Sequence, residues 1–157
     1  MKLLAEALNE RASLNIKLGD LRNRIDNNIY ISNGNDPYED AQELLNKALE
    51  VSKELENLIN IINQTNNNTK FESEIYSGTL SEALTHRDTL SQQIKTISQA
   101  LDSIPSNKRS FFEDRTNGRV LLSVTGLRER KDEFATKLRK LDTDIQKANW
   151  STDLLIK

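Results

Sequence analysis

The sequence predicts an all-α fold, an antiparallel four-helix bundle made from a duplicated helical hairpin, with short β-like segments in its loops. Three observations predict it. The 157 residues include only five Gly and two Pro, so little interrupts long helices. Four stretches place apolar residues at alternating steps of three and four, which gathers them on one helix face. The two halves of the chain also repeat each other.

The first helix runs from about Leu3 to Asn28, with a stripe of Leu4, Ala7, Arg11, Leu14, Leu18, Leu21 and Ile25. A loop follows from Tyr30 to Asp36, where Asn33-Gly34 signals a turn. Asp36 reads as the N-cap of the second helix, Pro37 as its first residue and Glu39 as the far side of a capping box. The second stripe is Leu44, Ala48, Val51, Leu55, Leu58, Ile62 and Thr65. Leu45, Leu49, Ile59 and Ile61 lie beside it, so this face is broader than one antiparallel neighbour covers. That surplus predicts a homo-oligomer.

The alternation around Phe71–Tyr76 allows a short strand or hairpin. Thr79 and Glu82 form a capping box that opens the third helix, whose stripe is Leu80, Ala83, Arg87, Leu90, Ile94, Ile97 and Leu101. Pro105 ends it. Val120–Val124 reads as a short strand. The fourth helix spans about Gly126 to Asn149 with Leu127, Phe134, Leu138, Leu141, Ile145 and Ala148 on its stripe, and Lys131 in one slot. Trp150 is expected to plug one end of the bundle.

A shift of 76 lays the first helix on the third: Leu4 meets Leu80, Glu6 meets Glu82, Arg11 meets Arg87 and Leu14 meets Leu90. A shift of 83 lays the second on the fourth: Leu44 meets Leu127, Leu58 meets Leu141, Ile62 meets Ile145 and Asn66 meets Asn149. Leucines alone align between any two amphipathic helices, but the matched Glu, Arg and Asn do not follow from amphipathicity. The expected organisation is one helical domain, 1–157, with repeat halves of about 1–66 and 79–150 about a pseudo-two-fold axis.

Composition removes several function classes. A net charge of −2 from 22 basic and 24 acidic residues argues against a nucleic-acid binder. The absence of Cys excludes disulfide scaffolds, zinc ribbons and thiol chemistry. A single His, His86, with no Glu-x-x-His motif, excludes a di-iron bundle site, and no spaced Asp motif offers magnesium or calcium a loop. No Gly-rich phosphate loop or catalytic triad stands out. No cofactor, metal or enzymatic activity is therefore expected. Glu6 interrupts the apolar run near Met1, and no stretch approaches the roughly 18 apolar residues of a membrane span, so a cytoplasmic protein without a membrane is expected.

Arg11 and Arg87 are the sharpest feature, because each fills a stripe position where Leu would be expected. A buried guanidinium needs partners. An antiparallel hairpin would set Arg11 near Asn63 or Asn66 and Arg87 near Asn149 or Asp142, with Glu6 and Glu82 reaching from across the bundle. Three readings stay open: a polar layer that fixes register or a pair of Arg snorkelling from a seam edge, a small-anion site lined by Arg11, Arg87, Glu6, Glu82, Asn66 and Asn149, or an oligomer contact. Glu82 is also explained by its capping box, whereas Glu6 has no such partner because residue 3 is Leu.

Charge is uneven along the chain. Residues 105–131 hold seven bases and three acids, and residues 36–56 hold seven acids and two bases. Opposite patches favour self-association. Phe111 and Phe112 could stack on nucleic-acid bases, but they are better read as pinning the long loop.

Four segments together resemble the septicolysin-like family of small bacterial proteins: Met1-Lys2-Leu3 with Ala5-Glu6-Ala7-Leu8 and Arg11; Ile62-Asn63-Gln64-Thr65-Asn66; Leu80 to Asp88; and Leu141-Asp142-Thr143 with Ile145-Gln146 and Ala148-Asn149-Trp150. The family name implies a cytolysin and carries over no catalytic residue. From the residues themselves, the leading expectation is a non-enzymatic, self-associating structural or interaction protein. A binder of a small anion at the Arg11/Arg87 layer comes second, and a cytolysin third.

Overall fold

The computed structural model describes residues 2–30, 37–104 and 119–155. Four helices, α1 (Leu4–Asn28), α2 (Ala41–Asn68), α3 (Leu80–Asp102) and α4 (Val124–Ser151), make up 78% of these residues, which places the chain in the all-α class. The strands β1 (Lys70–Glu72) and β2 (Ser77–Thr79) pair antiparallel, Lys70 with Thr79, Phe71 with Gly78 and Glu72 with Ser77. The chain divides into two compact units, one of Met1–Thr69 with Asn149–Lys157 and one of Lys70–Ala148.

In the first unit α1 packs against α2 as a helical hairpin. The predicted stripes are the buried residues: Leu4, Ala7, Leu14, Leu18 and Leu21 on α1, and Leu44, Ala48, Val51, Leu58 and Ile62 on α2. The cap of α2 differs from expectation. Its first residue is Ala41, and the Asp40 carboxylate accepts from the Gln42 and Glu43 N–H groups at 2.8 and 3.1 Å. Asp36, the expected cap, lies outside the described residues, as does the Asn33-Gly34 turn. Glu39 is committed elsewhere: it accepts a two-pronged contact from Arg24, with Nε at 2.9 Å, and its N–H donates to Asn28 Oδ1 at 3.1 Å. This ties the end of α1 to the start of α2.

The C-terminal segment closes the same unit. Leu3 and Asp153 form an antiparallel bridge, Leu4 N–H donates to the Thr152 carbonyl at 2.9 Å, and Leu154 N–H donates to the Lys2 carbonyl at 2.8 Å. Thr65, fully buried, accepts Leu155 N–H on its Oγ1 at 3.1 Å and donates to the Ile61 carbonyl at 2.9 Å. Trp150 was expected as a plug but is 57% exposed, because α4 runs on to Ser151 with this side chain on its solvent face.

In the second unit the hairpin β1–β2 turns through Ser73, whose Oγ accepts the N–H groups of Ile75 and Tyr76 at 3.2 and 3.0 Å. Phe71 is buried opposite Gly78. The capping box at α3 is complete: Glu82 Oε2 accepts Thr79 N–H at 2.8 Å, and Thr79 Oγ1 accepts Glu82 N–H at 3.2 Å. A Cβ on Gly78 would lie 2.6 Å from that carboxylate oxygen, so only Gly leaves the cap undisturbed. Buried residues are Leu80, Ala83, Leu90 and Ile97 on α3 and Leu141 and Ile145 on α4. The strand expected at Val120–Val124 does not form. Residues 119–123 carry no strand, Leu121 and Leu122 are exposed, and Val124 already begins α4. Among the described residues no strand lies beside this run, and an apolar stretch this short needs one to satisfy its backbone as a sheet.

The shifts that relate the halves in sequence also relate structural devices. The shift of 76 carries Leu3 to Thr79, and Leu3 N–H donates to Glu6 Oε2 at 2.7 Å just as Thr79 N–H donates to Glu82. Glu6 therefore does have a capping partner; it is the backbone of residue 3, which needs no hydroxyl. The pairs Lys70–Thr79 and Asp153–Leu3 are equivalent under the shifts of 83 and 76. Phe71 and Leu154, equivalent under 83, are both buried.

Hydrogen bonding from Arg24 holds Glu39 below the ordinary carboxylate range, the Thr79 backbone N–H does the same for Glu82, and Lys137 for Glu133. A carboxylate depressed in the folded state stabilises the fold above its unfolded pKa and loses that contribution as pH falls through its folded pKa. Unfolding midpoints in urea are thus expected to hold from neutral pH down to the ordinary glutamate value and to decline below it. Glu82→Gln, which cannot ionise at residue 82, is expected to flatten part of that acid limb.

Candidate functional site

The residues singled out in the sequence have defined local roles. Glu6 and Glu82 are exposed and spend a carboxylate oxygen on helix caps. Arg87 is half-buried and directs Nε and Nη2 onto Asp88 Oδ1 at 3.0 and 2.8 Å, in place of the expected Asn149 or Asp142. Arg11 is likewise half-buried, and its carbonyl accepts the Asn15 amide at 3.0 Å. Asn66 is half-buried and Asn149 buried, both in the first unit with Arg11 and Glu6, while Arg87 and Glu82 belong to the second. His86 stacks on Tyr76 with ring centroids 5.1 Å apart, a packing role for the single histidine. The Lys108, Arg109, Phe111, Phe112 and Arg115 of the basic loop lie outside the described residues.

Two surface features remain. The first is on α2. Leu45 and Leu49, one turn apart, are 41% and 61% exposed, whereas Ile59 and Ile61 farther along the same helix are half-buried. The spacing aligns Leu45, Leu49, Ser52 and Glu56 on one face. The other polar residues flanking this strip are Gln42, Asn46 and Lys53, so it is nearly neutral on a helix that is otherwise acidic.

The second feature is a pair of equivalent interhelical grooves. On α1 and α2, a groove of about 340 Å³ is lined by Lys17, Arg24 and Lys47 against Asp20, Glu50 and Glu54. On α3 and α4, a groove of about 390 Å³ has Gln92, Gln93, Thr96 and Ile97 on one side and Arg130 and Phe134 on the other. The shift of 76 carries Lys17 to Gln93, Asp20 to Thr96 and Leu21 to Ile97, and the shift of 83 carries Lys47 to Arg130 and Val51 to Phe134. The first groove carries three bases and three acids; in the second, Thr96 stands for Asp20 and Lys137 for Glu54, Glu133 keeps the acid of Glu50 outside the lining, and Arg130 is the charged residue of the lining. Neither groove was anticipated from the sequence, although applying the two shifts to the polar residues beside each stripe would have paired them.

Among the described residues, no group of His, Cys, Asp or Glu is arranged to hold a metal, and no helix is long and apolar enough to cross a membrane. The profile of a family of unknown function, DUF6847, matches residues 11–154. A functionally unknown conserved protein from Corynebacterium diphtheriae, known from a crystal structure, is similar at a TM-score of 0.85 and 28% sequence identity, with 98% of each chain covered. No curated protein matches the sequence. These matches overturn the resemblance to the septicolysin-like family, since neither points to it, and with it falls the cytolysin reading that rested on that name.

Proposed function

The chain belongs to DUF6847, a family of unknown function, and for it we propose a non-enzymatic role in the cytoplasm as a helical interaction protein that associates with its own copies through the exposed strip of α2. The observation that carries this reading is the pair Leu45 and Leu49, large apolar side chains left in solvent one turn apart on a helix of 28 residues. A second copy is the occupant that fits. The strip carries one positive and one negative flanking residue, Lys53 and Glu56, so two copies meet without like-charge excess, while the acids Glu43, Glu50 and Glu54 sit on the other side of the helix. The perturbed groups support a non-enzymatic reading. Arg24, Glu39, Glu82 and Glu133 each owe their shift to a surface ion pair or a helix cap. An anion reading at the Arg11/Arg87 layer gains no support from Arg87, whose charge is met by Asp88.

The test is chromatography of Leu45→Gln/Leu49→Gln beside the parent chain. Both residues are exposed, so the variant is expected to keep its fold by circular dichroism and to elute later, as a smaller species. Elution at the parent position would show that this strip is not the interface.

A further inference from the structure

We infer that the α3–α4 groove is a binding site for a small aromatic carboxylate. The two shifts pair these depressions, and the first is lined by three bases and three acids, with Arg24 ion-paired to Asp20, so its lining carries no excess charge. In the second copy Arg130 is the lone charged residue among those lining the groove. It makes no hydrogen bond or ion pair to any described residue; its field is felt by Glu133, whose carboxylate is held mainly by Lys137 at 2.6 Å. An exposed guanidinium that makes no hydrogen bond presents a planar fork of donors that matches a carboxylate.

The rest of the lining favours a ring. Phe134 is half-buried and Ile97 nearly so completely that 8% is exposed, giving an apolar floor beside the cation. Stacking or edge contact on Phe134 suits an aromatic body. Gln92 and Gln93 have side-chain amides without a hydrogen bond to any described residue, and each offers both donors and an acceptor to a ring substituent. Thr96 Oγ1 already donates to the Gln92 carbonyl at 2.9 Å, so it meets a ligand as an acceptor. A volume near 390 Å³ holds a single-ring ligand and lies at the small end of ordinary ligand pockets. This site is separate from the self-association strip, which is on α2.

The experiment titrates the full chain, labelled for backbone NMR, with 4-hydroxybenzoate, and in parallel with the uncharged 4-hydroxybenzamide. Saturable shifts are expected at the amides of Gln92, Gln93, Arg130 and Phe134, with the amide analogue binding roughly tenfold more weakly or worse, the loss of one charge-assisted contact. Arg130→Gln is expected to bring the carboxylate down to the level of the amide analogue, while Lys47→Gln in the equivalent groove leaves binding unchanged. Equal binding of the two probes would overturn the proposal, as would shifts confined to α1–α2, shifts unaffected by Arg130→Gln, or no shifts at all. A smaller oligomer with intact binding, or an intact oligomer without it, separates this site from the α2 strip.

Discussion

Phe71→Ala is expected to lower the stability of the chain by about 3–5 kcal/mol, the range for removing a large aromatic side chain from a packed interior. Phe71 is 3% exposed and sits on β1 opposite Gly78, so the residue paired with it brings no side chain to fill the space left. The β1–β2 hairpin also leads directly into the cap of α3, where Thr79 is both the partner of Lys70 and the N-cap residue. Loosening the strand pair therefore loosens the helix start. The measurement is urea unfolding followed by circular dichroism, with a lower midpoint at unchanged slope. Phe71→Leu keeps much of the apolar volume and is expected to cost less. Equal stabilities for the parent and Phe71→Ala would mean that β1 does not contribute to the packed interior.

The second large effect is at the helix starts. Leu80→Ala is expected to cost roughly 2–5 kcal/mol, and its equivalent Leu4→Ala a similar amount, because both side chains are fully buried at the first position of their helices. Position-matched costs would reflect the same packing made twice. The contrast is Leu49→Ala, on the exposed strip of α2, which is expected to move stability by no more than about 0.5 kcal/mol in the dissociated chain. A Leu4→Ala variant as stable as the parent would separate the two starts and argue against equivalent environments.

Much of the architecture was legible because it depends on periodicity. Leu14, Leu18 and Leu21 on α1, or Leu58 and Ile62 on α2, are buried for the reason their spacing suggests: one stripe per helix is the way to remove few apolar residues from water together. The capping box of Thr79 and Glu82 was equally plain, since it depends on two residues at a fixed separation. Local chemistry was less readable where backbone substitutes for side chain. Leu3 cannot cap through its side chain, yet its N–H satisfies Glu6. Asp40 caps α2 where Asp36-Pro37 had the stronger signature, because Glu39 is drawn off by Arg24 fifteen residues earlier, a tertiary contact that no local pattern encodes.

The candidate site was less visible still. Arg11 and Arg87 stood out because they break an apolar stripe, but an Arg with a long aliphatic stem can occupy a seam edge and leave its charge near water, and Arg87 does so beside Asp88. Leu45 and Leu49 are legible as surplus beside the stripe, because the width of an apolar helix face can be read from its composition, and both are exposed. Arg130 is hidden in the sequence, since a single Arg on a charged helix looks ordinary until the linings of the two grooves are set side by side. Trp150 misled for a related reason: size and hydrophobicity suggest burial, yet large apolar side chains are common on protein surfaces.

Self-association through α2 is the central claim, and sedimentation velocity of the unmodified chain over a range of micromolar concentrations tests it most directly. The account predicts a species larger than the 17.9 kDa chain, whose proportion rises with concentration and is lost in Leu45→Gln/Leu49→Gln. A single species at the mass of one chain across the whole range would contradict it.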